Sequence, residues 1–250
     1  MLEFKNVSFT YQGGDSQILK DISFSIEDKS FVSIIGASGT GKTTIFRLLN
    51  SLERPDSGEI TADGKNISEI KGFAGYMPQQ DLLFPWRNAW QNVSLPMQVK
   101  HMGADERKER AYAMLDKVGL YDCAEKYPRE LSGGMRQRVS FARTLCTGAD
   151  FLLLDEPFSA LDSITRIGLQ EWLYTQWKAL DKTILFITHD VDEAVFLSQK
   201  ILVLSGRPVD TIHEYKVPLP EARDISMLAD SPVEKLKNEI ISILRSEAEI

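Results

Sequence analysis

Positions 2–11 alternate between apolar and polar, with Leu2, Phe4, Phe9 and Tyr11 among the apolar members, the period of a half-buried strand. A turn cluster, Gln12-Gly13-Gly14-Asp15-Ser16, interrupts the pattern, and Ile22, Phe24 and Ile26 then resume it. The two runs predict an antiparallel β patch at the start of the chain. Phe31–Ile35 is different in kind: short, nearly all apolar and followed at once by glycines, as in a strand buried on both faces of a parallel sheet. Residues 42–49 then place Ile45, Leu48 and Leu49 on one helical face. Asp56-Ser57-Gly58 and Asp63-Gly64 bound a short hairpin, and a strand is expected near 73–77.

From about 86 to 147 the chain is polar and helical in spacing, most clearly over 105–118 (Ala111, Leu115, Val118) and 134–145. Three more apolar strands follow at 151–154, 183–187 and 201–204, separated by helices near 162–180 and 191–198. Strand–helix–strand alternation predicts an α/β fold with a mainly parallel sheet flanked by helices. Pro218, Pro220 and Pro232 mark a tail that ends in an amphipathic helix from about 232 to 245.

The strongest chemical signal joins the all-apolar strand to the first helix: Gly36-Ala37-Ser38-Gly39-Thr40-Gly41-Lys42-Thr43, with Thr44 next. It fits G-x-x-x-x-G-K-[ST] in the strand-to-helix context that the motif requires. Glycines let the loop curl until backbone N–H groups converge on a phosphate, and the helix adds the positive end of its dipole. Lys42 is then placed to reach β- and γ-phosphates, and the Thr43 hydroxyl to bind Mg²⁺.

A second signal is the apolar strand that ends in Asp155-Glu156-Pro157. A carboxylate at the tip of a buried strand makes sense opposite a cation, since an unpaired buried charge is costly. Asp155 is expected to hold Mg²⁺ through water. Glu156, one residue on, is expected to orient and deprotonate an attacking water. A third signal is Leu131-Ser132-Gly133-Gly134-Met135-Arg136-Gln137, where Ser132 caps a helix and two glycines leave its first-turn N–H groups open to an anion.

LSGGMRQR resembles the signature of the ATP-binding cassette family, and the family's other landmarks occur in order along essentially the whole chain. The resemblance implies that Gln79 touches Mg²⁺ and the attacking water, and that Asp162, in Ser159-Ala-Leu-Asp162, joins two such domains. It implies that His189 contacts the γ-phosphate and that Tyr11 stacks on adenine. Tyr76 and the tryptophans other than Trp86 are expected to be packing residues. Leu83, Phe84 and Trp86 lie in an apolar loop just after Gln79, where the family docks on membrane-spanning subunits. The loop LLFPW and the tail PLPEARD resemble importer cassettes for nitrate, sulfonates, taurine and thiamine precursors, whereas Arg87-Asn-Ala-Trp-Gln-Asn-Val departs from their Thr-Val-x-x-Asn-Val form.

The implied architecture is a P-loop NTPase (RecA-like) core at 1–85 and 148–215, carrying the N-terminal antiparallel β patch. An α-helical subdomain is inserted at 86–147, and 216–250 form a tail and helix. Such a protein hydrolyses ATP with Mg²⁺ in a head-to-tail homodimer, each phosphate loop facing the Ser132–Gly134 tip of the other copy. Its implied partners are transmembrane permease subunits and, indirectly, a solute-binding protein, at the cytoplasmic face of the membrane. A soluble single-cassette ATPase, such as an iron–sulfur assembly factor, is the alternative, and a nucleotide-binding module without turnover is a third reading. The solute is not written in a subunit that never touches it.

Composition narrows these readings. A formal net charge of −7 argues against broad nucleic-acid binding, which relies on basic patches that release counterions. With 43% hydrophobic residues a sizeable core can form. Two cysteines, Cys123 and Cys146, are too few for a disulfide framework and are expected to be small buried hydrophobes in a reducing setting. No apolar run approaches the ~20 residues of a membrane helix, and the first residues lack the pattern of a secretory signal.

Overall fold

The computed structural model describes residues 1–13 and 16–248; Gly14 and Asp15 of the expected turn cluster lie outside the described residues. In chain order, the N-terminal half contains β1 (Leu2–Thr10), β2 (Gln17–Ile26), β3 (Phe31–Ile35), α1 (Lys42–Leu49), β4 (Ser57–Ala62), β5 (Lys65–Asn66) and β6 (Ala74–Met77). The insertion carries α2 (Ala89–Val93), α3 (Leu95–Val99), α4 (Ala104–Lys117) and α5 (Gly133–Leu145). Then come β7 (Phe151–Asp155), α6 (Ser163–Ala179), β8 (Thr183–Ile187), α7 (Val191–Leu197), β9 (Lys200–Ser205), β10 (Thr211–Lys216) and α8 (Ser231–Ala248).

The strands form two sheets. One is antiparallel, in the order β2-β1-β4-β5, and Phe4 of β1 sits opposite Phe24 of β2 with the rings stacked at 4.3 Å. The hairpin expected after Asp56 therefore joins the N-terminal patch, with Asp63-Gly64 as its turn. The other sheet runs β10-β9-β3-β8-β7-β6 and is parallel from β9 to β6. At its edge β10 pairs antiparallel with β9.

β3, β7 and β8 are buried at every position, so their period of two separates two apolar faces rather than an apolar from a polar one. Leu152, Leu154, Ile184 and Phe186 face the helices, joining Val139 and Phe141 of α5 with Leu169 and Trp177 of α6. Leu153, Leu185 and Ile187 face the other way, onto Ile45, Phe46 and Leu49 of α1 and the inner residues of the antiparallel sheet. A third cluster packs Val233, Leu236 and Ile240 of α8 against Ala194 and Val195 of α7. Cys123 and Cys146 are half-buried at the edge of the helical core rather than fully enclosed, and both are free thiols.

This topology places the chemistry. β3, β6, β7 and β8 run parallel and end at one edge of the sheet. The chain leaves them into, respectively, Gly36, Gln79, Glu156 and His189. Ligands bind at the carboxyl ends of strands in open parallel sheets.

Candidate nucleotide-binding and hydrolysis site

The phosphate loop turns into α1 through Gly41, whose φ of 95° is open to glycine and strained for other residues. A Cβ there would also lie 2.8 Å from Ile18 Cγ2, so Gly41 answers both a conformational and a steric demand. Lys42 is buried, and its Nζ donates to the carbonyls of Gly36 (2.8 Å) and Ala37 (2.9 Å). Burial pulls its pKa down, while Glu156 and Asp155 act in the opposite sense. The Thr40 hydroxyl also closes onto Ala37 O, at 2.8 Å. Ser38 and Gly39 are the exposed crest of the loop, and Thr43 is exposed in the first turn of α1.

Tyr11 reaches the same helix from the antiparallel sheet. Its hydroxyl is 3.0 Å from Thr44 Oγ1, and its ring meets Phe9 edge-on at 4.8 Å, with the Arg47 guanidinium 5.8 Å above the centroid. The half-buried ring is thus fixed in place beside the phosphate loop.

Asp155 is 7% exposed, and burial pushes its pKa up. Its Oδ2 accepts a hydrogen bond of 3.1 Å from the Tyr76 hydroxyl, so Tyr76 does more than pack: it orients the carboxylate expected to serve the metal. Glu156 stands at φ 43°, an uncommon conformation for a side-chain-bearing residue, held by its N–H donating to Ile187 O at 2.9 Å. Its Oε2 accepts from Gln79 Nε2 at 3.2 Å and lies 3.1 Å from His189 Nδ1. Three residues expected to act together therefore meet at one carboxylate oxygen. Ser159, not singled out in the sequence, completes the group: its Oγ accepts from Gln79 Nε2 (3.3 Å) and donates to Glu156 O (3.0 Å).

Ser132 caps α5, its Oγ accepting from Met135 N at 3.3 Å. The glycines behind it have a packing reason in addition to any anion. A Cβ on Gly134 would be 3.0 Å from Thr165 Cγ2, and one on Gly133 would be 3.1 Å from Leu161 Cδ2, so α5 lies close upon α6. Ser132 and Gly134 line a cavity of about 500 Å³ with Thr165, Gly168 and Leu169, whereas Gly39 and Thr40 line a different one with Ile18 and Val209. Among the described residues these two cavities, one at the phosphate loop and one at the helix tip, share no lining residue.

α5 also grips the segment that follows Gln79. Arg136 Nε donates to Asp81 Oδ2 at 3.0 Å, and Arg143 donates to Leu82 O at 2.8 Å and Asp81 O at 2.6 Å. Ser140 Oγ adds a bond of 3.2 Å to Asp81 O. In the sequence Arg136 belongs to the signature run but has no assigned partner, and Ser140 and Arg143 read as the polar side of a helix; only the seven-residue spacing of the two arginines on one face hints at a shared target.

The apolar loop is divided. Leu83, expected on the exposed patch, is 8% exposed and belongs to the helical core. Phe84 (40%) and Trp86 (70%) are exposed, with rings stacked at 5.2 Å and 8°, and Leu82 is exposed beside them. Asn92 explains the split: fully buried, it accepts from Phe84 N (2.7 Å) and donates to Phe84 O, Arg87 O and Asn88 O. Asp162 is exposed at the start of α6, where it accepts from Thr165 N at 3.0 Å, a bond that holds its pKa below the usual carboxylate range.

The chain is similar to known proteins over most of its length. Residues 19–159, more than half of the chain, match the family model described as "ABC transporter". The chain is 38% identical over 251 residues to the formylaminopyrimidine import ATP-binding protein ThiZ of Halalkalibacterium halodurans, covering 99% of this chain and 98% of that protein. It is 41% identical over 246 residues to the nitrate import ATP-binding protein NrtD of Synechocystis sp., with 96% and 92% covered. Among solved structures, the dimeric post-hydrolysis state of the ATP-binding cassette MJ0796 bound to ADP and Pi superposes with a TM-score of 0.75 at 32% identity, over 88% of this chain and 100% of that one. The chain belongs to the ABC transporter family, as one of its ATP-binding cassettes.

Proposed function

We propose that this chain is an ATP-hydrolysing subunit that drives solute import through a separate membrane permease. The observation that carries the reading is the Glu156 carboxylate, shared by Gln79 and His189 at the sheet edge that also presents the phosphate loop. Glu156 takes the proton of the attacking water, Gln79 and His189 hold that carboxylate and the terminal phosphate in register, and Lys42 neutralises phosphate charge.

Mg²⁺ fits the donors present. Thr43, Asp155 and Gln79 offer hydroxyl, carboxylate and amide oxygen, the hard ligands that this ion prefers. These side chains would hold the ion together with the nucleotide's phosphates, the mode usual for Mg²⁺ at phosphate sites. When bound, it offsets the charge that the phosphates carry.

The separate placement of the phosphate loop and the Ser132–Gly134 tip supports two copies arranged head to tail, each completing the other's site. Asp162 and the neighbouring Ile164, 85% exposed, lie on a surface suited to such contact. Among the described residues no helix is long and apolar enough to cross a membrane, so passage of solute requires a partner. The stacked Phe84–Trp86 pair supports a permease as that partner, on the cytoplasmic face, over a soluble assembly factor. Similarity to import proteins for formylaminopyrimidine, nitrate, taurine and aliphatic sulfonates favours import of a small organic or inorganic anion or a thiamine precursor, delivered by a solute-binding protein.

Phosphate release from Mg²⁺-ATP by the purified chain tests the reading, and absence of turnover would refute it. Lys42→Ala is expected to weaken ATP binding by about 10–100-fold, since a charged hydrogen-bond donor contributes ~1.5–3 kcal/mol. Equal ATP affinities for native and variant in an equilibrium titration would contradict the role of Lys42. Tyr11→Ala is expected to weaken ATP and ADP alike, by about 2- to 10-fold for a lost aromatic stack. An effect confined to ATP would mean that Tyr11 is not the adenine platform.

A further inference from the structure

α6 begins just after Asp162, and α7 begins just after His189, so the two helices carry the dimer-contact loop and the switch segment. A charged cluster lies between them. Glu193 on α7 is 6% exposed; its Oε2 accepts from the Thr188 hydroxyl at 2.6 Å and its Oε1 from Gln170 Nε2 at 3.0 Å. Thr188 Oγ1 in turn accepts from Asp190 N at 3.0 Å, and Asp190 Oδ1 caps α7 through the N–H groups of Asp192 and Glu193. These bonds fasten the residues on either side of His189 to the body of α7.

Arg166 on α6, four residues past Asp162, faces this cluster. Its Nη2 donates to Leu161 O at 3.1 Å, holding the loop that carries Asp162. Its Nη1 stands 3.8 Å from Asp190 Oδ2 and its Nε 3.9 Å from Glu193 Oε1, within the range of ion pairing but beyond hydrogen-bond length. Nε is buried, and it has no hydrogen-bond partner in this arrangement. A buried guanidinium N–H without an acceptor is costly, and the acceptor that would relieve it is less than 1 Å too far away.

We propose that Arg166 is a positioning residue that couples the loop of Asp162 to the segment of His189. Contact with a second copy at Asp162 displaces Leu161 and carries the guanidinium onto Glu193 and Asp190. The closed fork then fixes where His189 stands against Glu156. The inference rests on the ATPase reading above and adds a route by which pairing of two copies reaches the hydrolytic carboxylate.

The test uses the full chain and Arg166→Met, which keeps an apolar stem and removes both the charge and the donors. ATP affinity is expected to stay within about twofold while kcat falls about 10-fold, since small misplacements of reacting groups cost orders of magnitude in rate. The imidazole NMR resonances of His189 should shift while those of His101 and His213 stay in place, a signature that general loosening of the fold would not give. Glu193→Gln, which removes the charge from the other side, should act in the same direction, and it decides the matter if Arg166→Met does not fold. Unmoved His189 resonances, an unchanged kcat, or a loss of affinity equal to the loss of kcat would overturn the role of Arg166. A native chain without ATP turnover would overturn the ATPase reading; native turnover with unmoved His189 resonances would overturn the coupling alone.

Discussion

Glu156→Gln is expected to bind ATP as the native chain does and to lose about 10²–10⁴-fold in steady-state hydrolysis, the usual range for a general base. Glutamine keeps the size of the side chain and one acceptor oxygen, so contacts from Gln79 and His189 like those at 3.2 and 3.1 Å remain open to it. What it loses is the capacity to take a proton. Lys42 and the phosphate loop are untouched, so nucleotide still loads, and a dimer closed over ATP has no exit through hydrolysis. The variant should therefore elute as an ATP-dependent dimer on gel filtration while phosphate release is nearly absent. Near-native turnover would remove Glu156 from the chemistry and move the search for a base to other groups at this edge.

The phosphate loop was legible because its demands fall on residue types: φ of 95° at Gly41 and the close approach of Ile18 leave glycine as the fit. The buried strands were legible because β3, β7 and β8 are apolar throughout. β10 was not. Its sequence, Thr-Ile-His-Glu-Tyr-Lys, sits at an exposed sheet edge where no run of apolar residues is needed. The short helices α2 and α3 were expected only as part of the helical stretch 86–147 and not as separate elements, because their signals are caps rather than periodicity. Asn88 and Gln91 form a reciprocal capping box, which shows what the departure from Thr-Val-x-x-Asn-Val amounts to: one N-cap residue type in place of another.

Within the site, residues defined by a motif were found and those defined by a partner were not. Tyr76, Ser159, Arg136 and Arg143 act through hydrogen bonds to side chains or loop carbonyls 55–80 positions away, a relation that spacing along the chain does not encode. Leu83 failed for a related reason. A run of four large apolar residues and a proline gives no local rule for which member turns inward; Asn92, nine residues on from Leu83, decides it by fastening the backbone of Phe84.

Removing the exposed part of that loop is expected to separate ATP hydrolysis from assembly. Phe84 and Trp86 stack on each other, 40% and 70% exposed, and neither bonds to the phosphate loop, Asp155 or Glu156. Phe84→Ala with Trp86→Ala should therefore leave basal ATPase of the isolated chain close to native. The backbone fastening by Asn92 and the buried anchor Leu83 remain, so the loop keeps its path. Assembly is another matter: aromatic anchors at the centre of an interface can each be worth ~2 kcal/mol or more, so losing both should weaken binding by about a thousandfold. The loop continues from Gln79 through four residues to Phe84, and Arg143 holds Asp81 and Leu82 between them, so a partner seated on Phe84 and Trp86 is linked through this short segment and Gln79 to the Glu156 carboxylate. The double variant should fail to co-purify with its permease subunits and should not support transport, although it still releases phosphate. Normal assembly and transport by this variant would show that the permease binds elsewhere, and the soluble-ATPase alternative would then regain its footing.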